Sequence, residues 1–224
     1  MVAIALGEML LKPVIMESQT SDSRQAKSVI DLYAEGQRYF KGQGTLNNTL
    51  TQVTSDLREH GIDYMVIGAV ALLAHGFPRF TEDIDLVLTP EGLEVFHREL
   101  IGPGYVPAFP GARKRLRSTR DGITIEVMTT GEYPGDGKPK PVSMPEPSTA
   151  SVEIDGIRVV TFEKLIELKL ASGMTAPHRL KDLADVQELI KIRALQKDFA
   201  ERLNPYVRDK FLELLESVEK SKTC

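Results

Sequence analysis

Cysteine is almost missing from this 224-residue sequence, which has one, Cys224. One thiol excludes a disulfide framework, and it leaves too few sulfur ligands for a zinc site. A chain without disulfides is typical of a reducing compartment, so we expect a cytoplasmic protein.

Long hydrophobic runs are absent too, because no stretch reaches the about 18 consecutive apolar residues that a membrane span needs. Residues 1–16 contain Glu8 and Lys12 and lack a basic leading region, so we expect no secretion signal. Hydrophobic residues nevertheless make up 42% of the sequence, which is enough for a buried core. We therefore expect a globular chain that has no membrane partner.

Two carboxylates lie one residue apart on a predicted strand. Asp83 and Asp85 flank Ile84, and alternate side chains of a strand share a face. Carboxylates this close repel each other, and a hard cation such as Mg²⁺ relieves the repulsion, often with substrate phosphate as a further ligand. Alone, the pair also fits the polar face of a half-buried edge strand.

The residues before this pair favour the metal site. Residues 64–67 read as a buried strand, and residues 70–75 read as an apolar helix after the turn Gly68-Ala69. A helix that begins there would direct free N–H groups at a phosphate, which glycine allows to approach closely. Arg79 and Thr81 are expected to alternate with the acids on the same strand face.

Residues 122–128 form an apolar stretch whose one acid, Glu126, is a further candidate for the site. Strand alternation places Glu126 on one face with Thr124 and Met128. Glu126 is therefore either a third acid at the metal or an ordinary outward-facing glutamate, and we favour the metal.

The motif Gly68-Ala69 followed by Arg79-x-Thr81-x-Asp83-Ile84-Asp85 resembles the signature of the nucleotidyltransferase fold, the polymerase-β-like superfamily. Lys169 and residues 179–186 resemble downstream motifs of its bacterial AbiEii-like branch, whose members include toxins of toxin–antitoxin pairs. The resemblance covers about residues 61–191.

The resemblance implies an α/β (α+β) fold, with a nucleotidyltransferase-like mixed β-sheet, flanking helices and a helical C-terminal subdomain. The implied domains are an N-terminal extension (1–27), a catalytic core (28–160) and the helical subdomain (161–224). The implied reaction transfers a nucleotidyl group from a nucleoside triphosphate such as ATP to a hydroxyl of RNA, a protein or a small molecule, with Mg²⁺ as cofactor. A tRNA or a partner protein is a candidate acceptor.

The same resemblance assigns residue roles. The catalytic and metal-binding residues would be Asp83, Asp85 and Glu126. The nucleotide-binding residues would be Gly68, Ala69, Arg79, Thr81, Lys169, Arg179 and Asp182.

Two departures from the family pattern leave an alternative open. The family has Gly-Gly or Gly-Ser at the turn where this chain has Gly68-Ala69, and it more often has aspartate at Glu126. The alternative is a non-catalytic nucleotide-binding or partner-binding module, which could belong to a toxin–antitoxin pair. Without the motif, Lys169 reads as a solvent-facing helix lysine paired with Glu163 or Glu167.

Two further segments are candidates for substrate contact. The basic cluster 113–117 with Arg120 opposes the net charge of −4, and it fits either a phosphate-binding surface or a solvated edge strand. The Pro/Gly-rich loop 131–141 either closes over substrate or has no role. Its candidate contact residues are Tyr133, Lys138 and Lys140.

After this loop, Asp155-Gly156 predicts a two-residue hairpin between strands 151–154 and 157–160.

Overall fold

The computed structural model describes residues 29–222, so the predicted extension 1–27 and Cys224 lie outside the described residues. The helices are α1 (Val29–Phe40), α2 (Thr45–Glu59), α3 (Gly68–Ala74), α4 (Pro90–Glu99), α5 (Pro147–Ala150), α6 (Phe162–Thr175), α7 (Leu180–Ile192) and α8 (Pro205–Lys222). The strands are β1 (Tyr64–Val66), β2 (Asp83–Leu88), β3 (Tyr105–Pro107), β4 (Arg115–Ser118), β5 (Thr124–Thr129), β6 (Ser151–Ile154) and β7 (Ile157–Val160). Short 3₁₀ helices at Pro177–Arg179 and Lys197–Arg202 precede α7 and α8.

The described strands form one seven-stranded mixed sheet in the order β3-β4-β5-β2-β1-β7-β6. The pairs β2 with β5 and β1 with β7 are parallel, and the other neighbouring pairs are antiparallel. The mixed sheet, its flanking helices and the helical region after β7 confirm the predicted fold class.

The two faces of the sheet differ in what covers them. Ile84 and Ile125 pair across β2 and β5, and both are fully buried on the face that α2 and α4 cover. Tyr105 lies on this face as well, with its ring 5.1 Å from that of Phe96 in α4 and its hydroxyl donating to Asp56 in α2 at 2.6 Å. The opposite face of the same strands carries the polar residues Asp83, Asp85, Thr124 and Glu126 at one end and the apolar pair Val87 and Met128 at the other.

The register places the acids of β2 and β5 side by side on that polar face. Asp85 pairs with Glu126, and Asp83 pairs with Thr124, in the parallel ladder between the two strands. Directly paired residues lie about 5 Å apart. Strand pairing and the alternation of side chains along β2 therefore bring the three predicted carboxylates together.

The hairpin prediction is confirmed. Strands β6 and β7 have the predicted bounds, and the two residues between them have positive φ angles of 50° (Asp155) and 76° (Gly156). Two positive φ angles are what a two-residue turn needs to match the twist of the strands it joins.

Two predictions about strands are wrong. The strand carrying the acids begins at Asp83, so Arg79 and Thr81 precede it in irregular backbone and do not alternate along its face. Strand β4, which carries part of the basic cluster, is second from the edge, because β3 covers it. Edge protection therefore does not explain the basic residues of β4.

Helix α6 is the most enclosed of the described helices, because α3, α7 and α8 all contact it. Residues 165–173 are buried without interruption, including the charged Glu167 and Lys169. Gly173 permits a close approach to α7, because a methyl group at this position would lie 2.6 Å from Leu183 Cγ. Within residues 29–222, no helix is long and apolar enough to cross a bilayer.

We expect Gly173→Ala to destabilise the fold by about 1–3 kcal/mol, because the added methyl group forces α6 and α7 apart. The control is Gly104→Ala, since a Cβ at Gly104 meets no atom within 4 Å. Urea unfolding followed by circular dichroism measures both changes. Equal stability of the two variants would contradict the close packing at Gly173.

Candidate active site

Three carboxylates converge at the start of β2 and the middle of β5. One oxygen from each of Asp83, Asp85 and Glu126 lies within 4.8 Å of the others, and all three residues are partly exposed. A set of carboxylate oxygens with no nitrogen or sulfur ligand suits a hard cation such as Mg²⁺.

Asp85 lies in an environment that disfavours its ionised form. Desolvation of its carboxyl, together with the negative charges of Asp83 and Glu126, raises its pKa to about 6. The positive charges of Lys169 and Arg179 act in the opposite direction. A cation bound among the three oxygens would relieve the same repulsion, so the donor set fits a divalent metal.

The backbone of Gly68 lies directly against the Asp85 side chain. Its φ angle is +65°, which favours glycine, and a methyl group there would overlap Asp85 Oδ2 and lie 2.8 Å from Cγ. The next residue along, Ala69, is buried in α3. Helix α3 begins at Gly68 and has seven residues, so it starts two residues before the predicted helix.

Arg79 and Thr81 reach the site from the irregular segment before β2. The Thr81 hydroxyl donates to Asp83 Oδ1 and so holds one of the three acids. Arg79 Nη1 donates to Asp185 Oδ2 of α7 at 2.9 Å. Arg79 therefore links the segment before the acids to the C-terminal helices.

Lys169 lies in a buried ion network between α6 and α7. It is 6% exposed, and its Nζ donates to Asp182 Oδ1 at 3.1 Å and to Asp185 Oδ2 at 2.7 Å. The solvent-facing alternative for Lys169 is therefore wrong. The acids considered as its partners have other cations, because Glu167 pairs with Lys164 and Glu163 pairs with Arg202.

Asp182 accepts hydrogen bonds from three residues. Besides Lys169, the Ser172 hydroxyl donates to Oδ2 at 2.7 Å and Arg179 Nε donates to Oδ2 at 2.8 Å. Burial alone would raise the pKa of Asp182, but the positive charges and the hydroxyl outweigh it and hold the pKa below its usual value. Asp182 is thus an ionised anchor that orients two cations.

Sequence analysis missed Asp185 and Ser172 as members of this network. Asp185 could have been found from its spacing, because residues three apart on a helix share a face and Asp182 was already a candidate. No pattern around Ser172 indicates its contact, which depends on how closely α6 and α7 pack.

Two cavities meet at the carboxylates. The polar cavity, of about 650 Å³, is lined by the three acids and several cations, whereas the larger cavity, of about 760 Å³, has mostly apolar walls and reaches only Asp85 of the three acids. Both are bordered by Gly68, Asp85, Lys169, Arg179 and Asp182. The polar cavity adds Arg79, Thr81 and Lys181, and the larger one adds Met128, Tyr133, Met144, Leu165, Leu168 and His178.

The predicted substrate loop forms part of the larger cavity. Residues 130–135 and Gly137 line it, and Tyr133 is the aromatic side chain among them. Lys140 instead braces the loop, because its Nζ donates to Pro134 O and Asp136 Oδ1, both at 2.7 Å.

Most of the basic cluster has partners close by. Arg113 pairs with Glu94 at 2.5 Å, and Arg120 donates to Gln52 at 3.1 Å. Lys114 pairs with Glu132 and donates to Thr129, and Arg115 Nε lies 3.4 Å from Glu126 Oε1.

Neither a protein-family model nor a curated protein sequence matches this chain. Solved structures similar to it include JHP933 from Helicobacter pylori, 17% identical, with 79% of this chain and 94% of that chain covered and a TM-score of 0.40. They also include an antigenic nucleotidyltransferase-like protein from Paracoccidioides brasiliensis, 16% identical, with 64% of this chain and 74% of that chain covered and a TM-score of 0.42. Similarity this low assigns no activity, and the AbiEii-like branch stays a prediction.

We expect Gly68→Ala to abolish divalent-metal binding at the acids, because the new methyl group displaces the Asp85 carboxylate. Gly61→Ala is the matched control, since Gly61 has nearly the same φ angle, +64°, and a Cβ there meets no atom within 4 Å. Both variants carry similar backbone strain, of about 1 kcal/mol. Titration with Mn²⁺ by electron paramagnetic resonance measures the binding, and a Gly68→Ala protein that binds like the control would contradict the close contact.

We expect Lys169→Met to destabilise the protein by about 3–5 kcal/mol, because it leaves two buried carboxylates without their shared cation. Lys191→Met, which removes an exposed pair with Glu188, should cost less than about 1 kcal/mol. Chemical unfolding compares the two, and a small loss in Lys169→Met would mean that Lys169 does not hold Asp182 and Asp185 in solution.

Proposed function

We propose that this chain is a Mg²⁺-dependent nucleotidyltransferase that moves a nucleotidyl group from a nucleoside triphosphate to an acceptor hydroxyl. The observation that carries the proposal is the convergence of Asp83, Asp85 and Glu126 within 4.8 Å, on a face that cations border. A divalent cation would relieve the crowding of the three acids, and an anion would suit the positive charges beside them. A metal–triphosphate complex satisfies both.

The three carboxylates would hold the metal, since they form the oxygen-only set described above. A bound divalent metal supplies charge neutralisation on the phosphates and lowers the pKa of the attacking hydroxyl. Thr81 keeps Asp83 oriented through its hydroxyl, and Gly68 leaves room for the Asp85 carboxylate. These contacts fix the acids before substrate binds.

The cations of the polar cavity would bind the triphosphate. Arg179 and Lys169 stand on the α6–α7 side of the acids, and Arg79 and Lys181 complete the positive border. Asp182 and Asp185 hold three of these four side chains in place. Preorganised cations of this kind stabilise the charge that moves onto the leaving pyrophosphate.

The larger cavity would hold the nucleoside. Apolar walls from Met128, Leu165 and Leu168 suit a planar base, and Tyr133 offers a ring against which a base can stack. Asp85 and Lys169 border both cavities, so the phosphates of a nucleotide bound across them lie at the acids.

The decisive test compares the native chain with the Asp83→Asn, Asp85→Asn double variant. Each is incubated with Mg²⁺, nucleoside triphosphates labelled at the α-phosphate, and total cellular RNA and protein. We expect label transfer by the native chain, and a loss on the order of 100-fold or more in the double variant because the metal site is gone. The Glu94→Gln, Glu99→Gln variant removes two exposed acids of α4 and should transfer like the native chain.

The double variant should remain folded, because replacing crowded carboxylates with amides removes repulsion rather than contacts. Thermal unfolding in EDTA checks this, and the melting temperature should not fall. Transfer that is undiminished in the double variant would overturn the proposed mechanism. Triphosphate binding by the native chain without any transfer would instead favour the non-catalytic binding module. Cytoplasmic location and a toxin–antitoxin partner stay predictions.

A further inference from the structure

The loop 131–141, which lines the larger cavity, is held to the rest of the protein at both ends. At its start, the Glu132 carbonyl oxygen accepts a hydrogen bond from Met144 N–H at 2.7 Å. At its end, the Asn204 amide donates to Pro141 O at 3.2 Å. These contacts fix where the loop leaves the sheet and where it returns.

The middle of the loop packs against the end of α6. Pro134 is buried, and Gly135 has a φ angle of +77°. A methyl group at Gly135 would overlap Thr175 Oγ1 and lie 2.8 Å from Ser172 O, so the loop backbone lies directly on the helix. Ser172 also donates to Asp182, which places the loop beside the buried ion network.

Lys140 connects the two halves of this loop. Its Nζ donates to Pro134 O and to Asp136 Oδ1, both at 2.7 Å, and its side chain is only 5% exposed. A lysine on a surface loop usually keeps its ammonium group in water, because removing the charge from water is costly. The same Nζ lies 5.7 Å from the centre of the Tyr133 ring, which is within the range of a cation–π contact.

The Tyr133 ring lies between this lysine and the larger cavity. Of the described residues of the loop, 131–135 and Gly137 line the cavity and Lys140 does not. The ammonium group therefore contacts the ring from outside the cavity and leaves its inner side for a ligand. An exposed tyrosine can rotate about two side-chain bonds, and the contact with Lys140 restricts that rotation.

We propose that Lys140 is a positioning residue that holds the Tyr133 ring in place as the platform for the nucleobase. This inference rests on the proposed function and deepens its nucleoside subsite. Lys140 lines neither cavity, so its charge acts through the ring and not on the phosphates. A ring that is already held in one orientation loses less freedom when a base stacks on it, and the nucleotide binds more tightly as a result.

The first measurement compares ligands with and without a base. Isothermal titration calorimetry in Mg²⁺ follows the binding of each ribonucleoside triphosphate and of inorganic tripolyphosphate, which has the phosphates alone. We expect Lys140→Met to weaken nucleoside triphosphate binding about three- to tenfold and to leave tripolyphosphate binding within about twofold. Lys138→Met is the matched control, because Lys138 is exposed and contacts Asp136 through its backbone N–H, which the variant keeps.

A double-mutant cycle tests whether Lys140 acts through the ring. Tyr133→Ala should weaken nucleoside triphosphate binding at least about fivefold, because it removes the stacking surface. In that background, Lys140→Met should cause no further loss, since the ring that it positions is gone. Losses that add in full would overturn the positioning role.

Two checks separate this role from general damage to the loop. Lys140→Met should keep the circular dichroism spectrum of the native chain. Asp136→Ala removes one of the two hydrogen bonds of Lys140 at a side chain that is 28% exposed, and it should cause a smaller loss that is again confined to ligands with a base.

Three binding results would overturn the inference. They are an equal weakening of tripolyphosphate in Lys140→Met, an equal loss of nucleotide affinity in Lys138→Met, and a native chain that binds nucleoside triphosphates no more tightly than tripolyphosphate.

The second measurement uses the label-transfer assay. Lys140→Met should raise the KM for the nucleoside triphosphate about three- to tenfold and leave kcat within about twofold, because stacking of the base contributes equally before and during the reaction. A lowered kcat with an unchanged KM would contradict the inference. If nucleotide binding depends on Lys140 as expected but the native chain transfers no label, the positioning role stands and the proposed function fails.

Discussion

Crowding of negative charge where β2 and β5 run in parallel is the constraint on which the rest of the site depends. The ladder fixes Asp85 opposite Glu126, and alternation brings Asp83 to the same face, so backbone hydrogen bonds hold the acids together. Repulsion between these charges lowers the stability of the fold, and such a local loss of stability is characteristic of functional sites. Neighbouring elements also contact these side chains and limit where they can lie.

Gly68 is one of those elements. The end of β1 is tied to β2 by the hydrogen bond from Ile67 N–H to Asp85 O, at 2.9 Å. The chain must then turn sharply into α3 directly beside the Asp85 side chain. Only a residue without a Cβ fits there, which explains the glycine at the start of α3. The backbone geometry at Gly68 and the position of the Asp85 carboxylate are thus coupled through one contact.

The ion network between α6 and α7 supplies positive charge beside the acids. Lys169, Arg79 and Arg179 carry three positive charges, and Asp182 and Asp185 carry two negative ones, so the cluster keeps an excess of one positive charge. Burying these groups costs desolvation energy that a hydrophobic contact would not. The excess positive charge lies beside the three acids, where Lys169 and Arg179 oppose the rise in the pKa of Asp85, and it also suits the triphosphate of the proposed function.

Local chemistry in the sequence was sufficient to predict part of this site. The alternation around Asp85 and Glu126 follows from strand geometry, and Asp155-Gly156 specifies its hairpin through positive φ angles, so neither depends on distant residues. The start of β2 was misjudged because polar residues alternate before Asp83 although no neighbouring strand pairs with them there. The partners of Lys169 were missed because they lie on the following helix, and helix–helix contacts are set by packing.

Sheet order was the other property that the sequence did not reveal, and it changes the meaning of the basic residues. Strand β4 would need positive charge for protection only at an edge, and β3 occupies that position. Arg115 of β4 instead lies beside the acids, with its Nε 3.4 Å from Glu126 Oε1. Its guanidinium therefore offsets part of the negative charge that β2 and β5 bring together, which follows from sheet order and not from the pattern of any one strand.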